Sequence, residues 1–170
     1  FSIDGTAEVG QTLSINQTAV DPDGDGELSY SWQTSTDGST WIEVGTDSTF
    51  EVPLAEEGKQ IRSVVSYTDA QGFDETVTTT SVDIPYVDEG EASFSIDGTA
   101  EVGQTLSINQ TAVDPDGDGE LNYRWQTSID GNTWTEVANG STYVVGLAEN
   151  GKQIRSVVSY RDGQGFEEHV

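Results

Sequence analysis

The chain has no cysteine and only 6 basic side chains against 31 acidic ones in 170 residues. The lack of cysteine excludes a disulfide framework, a thiolate metal site and a cysteine nucleophile. The formal net charge of −25 repels nucleic acid and anionic lipid, so we expect no nucleic-acid partner. There is no apolar run of membrane-spanning length, and we expect no membrane insertion. The chain also repels itself, and a compact form therefore gains from bound cations.

The most prominent feature of the sequence is an internal duplication. The segment 1–77 returns as 94–170 without a gap, and 16 of the 77 aligned pairs differ. A period of about 93 residues is too long for a solenoid turn and suits a small β-sandwich. We predict a first repeat over 1–86, an acidic linker over 87–92, and a second repeat over 93–170 with its last strand truncated. A unit copied for length or valency favours a modular surface protein over an enzyme.

The spacing of the apolar residues predicts short strands and no long helix. Four Trp, six Tyr and five Phe argue against a disordered chain, although the charge is high. Leu28, Tyr30 and Trp32 alternate with polar residues, and Trp32 and Trp125 are expected to fill the centres of the two repeats. Seven or so strands at intervals of 8–12 residues are typical of a sandwich. The fold class is therefore all-β, with two tandem immunoglobulin-like antiparallel β-sandwiches.

Several motifs in each copy resemble a known family. They are Tyr30-Ser-Trp32, Ser35-Thr-Asp-Gly38, Trp41, Phe50, Glu57-Gly-Lys-Gln-Ile-Arg62 and Tyr67-Thr-Asp69. Together they are similar to the immunoglobulin-like repeats of large bacterial surface proteins, such as the calcium-dependent RTX adhesins. The resemblance implies a secreted or cell-surface location, neighbouring repeats of the same chain as partners, and a monomer.

One acidic loop in each repeat has the spacing of a metal-binding site. Asp21-Pro-Asp23-Gly-Asp25-Gly26 recurs as Asp114-Pro-Asp116-Gly-Asp118-Gly119. Carboxylates at positions 1, 3 and 5 followed by glycine match the first half of an EF-hand calcium loop, in which position 7 offers a carbonyl, here that of Glu27 or Glu120. Position 12 is a tryptophan, so the bidentate glutamate is missing and other segments must complete the shell.

Additional ligands are expected from the loops at the same end of the fold. In an immunoglobulin-like sandwich the loop between the second and third strands and the loop between the sixth and seventh strands share the end at which the chain enters. This brings Asp69 or Asp162 to the Asp loop of its own repeat. In the second copy the acidic linker arrives there too. We therefore predict Ca²⁺ in each copy, with these further candidate ligands: Asp69, Asp162, Asp88, Glu89 and Glu91. The alternatives are a solvated turn without an ion, or Mg²⁺, which suits a flexible loop less well.

Two functions from different classes follow from these observations. The leading one is a calcium-stabilised structural extender of an adhesin, which projects a distal binding domain. The alternative is a pair of carbohydrate-binding modules, in which Trp41 and Trp134 stack on a polysaccharide. We expect no enzyme, because the only histidine, His169, is replaced by Thr76 in the first copy and no duplicated Ser–His–Asp set is possible.

Overall fold

The computed structural model describes all residues 1–170 and forms two compact units, Phe1–Val87 and Asp88–Val170. The regular structure is β-strand apart from two short 3₁₀ turns, Leu54–Glu56 and Leu147–Glu149, which confirms the all-β prediction. Each unit contains one smaller and one larger antiparallel sheet. From Asp88 onward, the segment predicted as a linker belongs to the second unit.

The first unit has eight strands in two sheets. They are β1 (Ser2–Asp4), β2 (Thr12–Asn16), β3 (Ser29–Ser35), β4 (Ile42–Gly45), β5 (Thr49–Glu51), β6 (Gln60–Thr68), β7 (Asp74–Thr78) and β8 (Val82–Asp83). The small sheet has the order β1-β2-β5, and the large one β4-β3-β6-β7 with β8 also on β6. The chain crosses between the two sheets from β2 to β3, from β4 to β5 and from β5 to β6, as in sandwich folds.

The second unit repeats this arrangement with seven strands. They are β9 (Ser93–Asp97), β10 (Thr105–Ala112), β11 (Asn122–Ser128), β12 (Thr135–Asn139), β13 (Thr142–Val144), β14 (Gln153–Arg161) and β15 (Glu167–His169). The sheet orders are β9-β10-β13 and β12-β11-β14-β15. The loop between β10 and β11 and the loop between β14 and β15 carry the candidate site.

A tryptophan occupies the centre of each core, as the alternation in β3 and β11 predicts. Trp32 and Trp125 are both fully buried. The indole Nε1 of Trp32 donates to the carbonyl of Asp47 at 2.9 Å, and its ring stacks on Phe50 with centroids 5.8 Å apart. Because the one polar atom of the ring has a partner, the full apolar area contributes to stability.

The last strand of the first unit differs from the prediction. The sequence predicts one strand over Glu75–Ile84, whereas the structure has β7 and β8, which pair with different parts of β6. Between them Thr79 bonds to β6, since its Oγ1 accepts from the amide of Ser63 at 2.9 Å. Beyond β8, Ile84 is 1% exposed and joins the core around Trp32. The split lets one segment pair with both ends of β6 and close the core.

Candidate metal centre

The Asp loop of the second repeat is a tight turn held by its own first carboxylate. The amide of Gly117 donates to the carbonyl of Asp114 at 3.1 Å, and the amide of Asp116 donates to Asp114 Oδ1 at 2.7 Å. Gly117 has a φ of +94°, which favours glycine at that position. The turn therefore orients Asp114 toward the interior, where only 3% of it is exposed.

The glycine at position 6 of the loop serves close packing. A Cβ on Gly119 would collide with the carbonyl oxygen of Arg161, and a Cβ on Gly26 would collide with that of Thr68. The loop thus runs directly against the end of the long strand, β14 or β6. A glycine is required here because of this approach, and the approach brings the loop to the β14–β15 connection.

The third carboxylate of the motif braces the loop in both repeats. Asp118 Oδ1 accepts from the amide of Asp114 at 3.1 Å, and its Oδ2 accepts from Gln110 Nε2 at 2.9 Å. Asp25 makes the same pair of bonds to Asp21 and Gln17. The EF-hand spacing predicts this carboxylate as a ligand, but the structure does not bring Asp118 into the carboxylate cluster.

Position 7 of the motif also lies apart from the cluster. Glu27 and Glu120 are exposed. The carbonyl of Glu120, which the EF-hand pattern assigns to the ion, accepts from Asn122 Nδ2 at 3.2 Å. The first two carboxylates of the motif are therefore the ones that the structure groups with other acids.

The cluster consists of Asp114, Asp116 and Asp162. One carboxylate oxygen from each lies within 4.8 Å of the others, a spacing at which they could hold a metal ion. Asp162 comes from the loop between β14 and β15, as the sandwich geometry predicts, and is 7% exposed. Three acids this close repel one another, and a cation would relieve that repulsion.

One oxygen of the cluster has no hydrogen-bond donor. Asp162 Oδ1 accepts from three backbone amides of its own loop, at 2.9, 2.5 and 2.8 Å. Asp162 Oδ2 is buried and accepts none. A buried polar atom without a partner is costly, by about 1–3 kcal/mol or more when charged. Since Oδ1 is held by the loop, Oδ2 is the oxygen left for an ion, and the residues present fit a bound cation.

A buried tyrosine connects the cluster to the incoming chain. The hydroxyl of Tyr160 donates to Asp114 Oδ2 at 2.7 Å and accepts from the amide of Ala92 at 2.7 Å. Burial raises the pKa of Tyr160, and the bond to Asp114 raises it further. The hydroxyl therefore keeps its proton at neutral pH and remains a donor to the cluster.

The predicted linker meets the Asp loop through its backbone. The amide of Glu89 donates to Asp116 Oδ2 at 2.7 Å. The amide of Gly90 donates to Asp88 Oδ1 at 2.8 Å, which closes a small turn around Gly90, whose φ is +114°. The incoming segment thus reaches the cluster through a backbone amide, whereas the predicted ligands Asp88, Glu89 and Glu91 are not among the three grouped carboxylates.

Glu168 adds a further acid that the sequence does not single out. It lies on β15 and is 4% exposed, whereas its counterpart Glu75 is exposed. Burial raises the pKa of Glu168, and so do, in decreasing order, the charges of the following groups: Asp88, Glu91, Asp114 and Asp162. The predicted ligands Asp88 and Glu91 therefore lie close enough to Glu168 to act on it electrostatically.

The sequence also misses Gln164, whose Nε2 donates to Asp116 Oδ1 at 2.8 Å. Neither Glu168 nor Gln164 belongs to a recognisable spacing pattern. Their counterparts in the first copy are Glu75 and Gln71, which are exposed, so the duplication itself gives no signal either. Only the folded arrangement of the incoming segment and the two loops brings them to the site.

The first repeat has a looser version of the same arrangement. The hydroxyl of Tyr67 donates to Asp21 Oδ2 at 2.9 Å, and this bond, with burial, raises the pKa of Tyr67 to about 12. Asp69 is buried and its Oδ1 accepts from two loop amides. Asp23 is exposed, and the three aspartates do not form a group of the kind that the second repeat has.

The tryptophans of the carbohydrate alternative lie under arginines. The guanidinium of Arg62 sits 4.0 Å from the ring centroid of Trp41, and that of Arg155 sits 4.2 Å from Trp134. Arg62 is fixed there by two bonds to Gln33 Oε1. A sugar stacking on that face would have to displace the guanidinium, so this observation does not favour sugar binding.

The chain matches no protein-family model and no curated protein. The structure contains no helix that is long and apolar enough to cross a membrane.

Proposed function

We propose that the chain is a pair of calcium-stabilised extender repeats of a secreted or cell-surface adhesin. The observation that carries the proposal is the group of Asp114, Asp116 and Asp162, of which the first and last are buried and in which Asp162 Oδ2 lacks a donor. The net charge of −25 supports it, because bound cations reduce the self-repulsion of so acidic a chain.

The chemistry of the donors supports calcium over other ions. The group offers oxygen atoms alone, with neither histidine nor cysteine, which suits a hard cation. Its members come from two loops and are braced by the incoming segment. An arrangement built from two loops tolerates the 6–8 ligands and loose geometry of Ca²⁺ better than the strict octahedron of Mg²⁺.

The position of the site connects ion binding to the extender role. The residues that orient the cluster include Glu89 and Ala92, where the chain enters the second repeat. An ion held by Asp114, Asp116 and Asp162 would stabilise those contacts. The incoming segment would then be fixed on the second repeat, and the chain between the two repeats would lose freedom. The polypeptide would act as a spacer for a binding domain elsewhere in the parent protein.

Calorimetric titration of the 170-residue chain with CaCl₂ tests the proposal. We expect binding with a dissociation constant of about 10⁻⁴ to 10⁻³ M, as in other extracellular modules. Asp162→Asn should abolish the heat that belongs to the second repeat, because it removes charge from the oxygen that has no donor. Asp130→Asn is the matched control, since it removes the same charge from an exposed turn of the same repeat.

Calcium should also raise the melting temperature of the wild type and of Asp130→Asn, since a ligand that binds only the folded state stabilises it. The absence of binding at about 10 mM Ca²⁺, roughly tenfold above the expected constant, would overturn the proposal. Equal effects of Asp162→Asn and Asp130→Asn would overturn the assignment of the site.

A further inference from the structure

The two repeats have identical Asp loops but differ in how closely their aspartate side chains group together. Asp114 is buried and Asp116 is half-buried, whereas Asp21 is half-buried and Asp23 is exposed. A grouping of three carboxylates within 4.8 Å forms only in the second repeat. The Asp loops themselves are the same in sequence, so the cause must lie in what packs against them.

The loop that faces the Asp loop differs at one position near the contact. It reads Asp69-Ala70-Gln71-Gly72 in the first repeat and Asp162-Gly163-Gln164-Gly165 in the second. The amide of Gly163 donates to the carbonyl of Gly117 at 3.1 Å, which joins the two loops directly. No such bond links Ala70 to Gly24.

A side chain at position 163 would not fit this contact. A Cβ there would lie 2.5 Å from the carbonyl oxygen of Asp116, a backbone atom that cannot move aside without shifting the loop. In the first repeat the Ala70 methyl faces Gly24, at 3.5 Å from where a Cβ of that glycine would be. The methyl group of Ala70 therefore acts as a spacer between two loops that Gly163 lets close.

The contact between the two loops also determines what the neighbouring Gln164 side chain can bond to. Gln164 donates to Asp116 Oδ1 at 2.8 Å and is half-buried, while the identical Gln71 is exposed. The Glu89 amide donates to the other oxygen of Asp116. Both oxygens of Asp116 are thus oriented from outside its own loop, which pre-organises the group before an ion binds.

We propose that one residue in the facing loop, Gly163 in the second repeat and Ala70 in the first, sets the calcium affinity of each repeat. The two sites therefore differ in affinity. This inference rests on the proposed calcium binding. With Gly163 the second repeat binds Ca²⁺ at least about tenfold more tightly than the first, because site rigidity is one of the factors that set calcium affinity. The ion that fixes the incoming segment therefore binds at calcium levels that leave the first repeat free.

Two single-site chains separate the repeats for the experiment. The Asp69→Asn chain reports the second repeat and the Asp162→Asn chain reports the first, both titrated with CaCl₂ by calorimetry. In the Asp69→Asn chain, Gly163→Ala should weaken binding about tenfold. In the Asp162→Asn chain, Ala70→Gly should tighten it about threefold, the smaller effect reflecting the exposed position of Asp23. Ala70→Ser is the matched control, since it keeps a Cβ and should leave affinity unchanged.

The outcomes distinguish this inference from the function on which it rests. If the Asp69→Asn chain binds no calcium, both fail. If it binds but Gly163→Ala, with an unchanged circular-dichroism spectrum in chelator, stays within twofold of it, the inference alone is overturned. Should Gly163→Ala fail to fold, Ala70→Gly decides, because it removes a methyl group from an exposed position. An affinity equal to that of Ala70→Ser would then overturn the inference.

Discussion

At the scale of single residues, the two central tryptophans are the largest fully buried side chains. Each is fully buried, each stacks on an aromatic ring of the opposite sheet, and each has its Nε1 bonded to a loop carbonyl. Trp41 and Trp134, by contrast, are half-buried, and each lies under an arginine. The same residue type therefore has two different roles within each repeat.

We expect Trp32→Ala to lower the free energy of unfolding of the first repeat by about 3–5 kcal/mol, the range for a large buried aromatic. Trp41→Ala is the control and should cost about 1 kcal/mol, because Trp41 is only half-buried and a cation–π contact contributes little. Urea denaturation followed by circular dichroism measures both. Equal losses for the two variants would contradict the assignment of Trp32 to the core.

Asp37, in the turn between β3 and β4, gives a second prediction at the residue scale. The pKa of Asp37 is held far below its ordinary value of 3.8, chiefly by the amides of Thr40 and Ser39 and by the hydroxyl of Ser35. A depressed pKa in the folded state means that Asp37 contributes stability above pH 3.8, and that this contribution is lost as the pH falls through the lowered pKa.

Asp37→Asn should therefore lower the melting temperature most at neutral pH, and the difference from the wild type should shrink as the pH falls below about 3.8. Thermal melts of both chains between pH 2 and 7 provide the comparison. Because the other acids titrate in both chains, only the difference between them is informative. A difference that stays constant or grows toward low pH would show that the turn does not depend on the charge of Asp37.

At the scale of elements, β8 and Ile84 close the first repeat. The amide of Ile84 donates to the carbonyl of Lys59 at 2.8 Å, and its own carbonyl accepts from Gly58 at 2.9 Å. Its side chain completes the cluster around Trp32. In the second repeat, β14 pairs with β15 alone on that side, and Ile154 is only partly buried where its counterpart Ile61 is fully buried.

Ile84→Ala should accordingly destabilise the first repeat by about 2–5 kcal/mol, as for other large-to-small core substitutions. Val82→Ala in the same short strand is the control; its side chain is 37% exposed, and a loss below about 1 kcal/mol is expected. Urea titration of both variants measures the losses. If Ile84→Ala costs no more than Val82→Ala, the segment after β7 is not part of the core.

At the scale of the whole molecule, the proposed role depends on the incoming segment of the second repeat. Its backbone bonds to Asp116 and to Tyr160, and these partners also orient the carboxylate group. Without an ion, the charges of Asp88, Glu91 and Glu168 oppose the closure of this segment on the repeat. Calcium binding and the order of the segment should therefore increase together.

Small-angle scattering of the 170-residue chain, with calcium and then with excess chelator, tests this coupling. We expect a narrower range of maximum dimensions with calcium, because the ion restricts the chain between the two repeats. The Asp162→Asn chain should give the same curve in both conditions, while Asp130→Asn should respond like the wild type. An identical response of wild type and Asp162→Asn would leave the ion as a local stabiliser only.

Much of this architecture follows from the sequence alone. The duplication defines two equivalent units, and alternation around Trp32 and Trp125 predicts the central strands, because a half-buried strand must place every second side chain inward. The Asp-Pro-Asp-Gly-Asp-Gly loop and the sandwich topology together predict that Asp162 joins Asp114 and Asp116. These features depend on local periodicity and on a chain order that the sequence contains.

Only the tertiary structure determined which acidic side chains form the candidate metal site. Asp118 has ligand spacing, but it bonds to the amide of Asp114 and to Gln110 and does not belong to the group of three carboxylates, which spacing does not reveal. Glu168 enters the site from a strand edge that is exposed in the other copy. The amide of Gly163 joins the two loops of the second repeat through the carbonyl of Gly117, whereas no such bond links Ala70 to Gly24 in the first. Such contacts depend on small differences in distance between segments that are far apart in sequence. Near-identical copies can therefore group their carboxylates differently although their sequence pattern is the same.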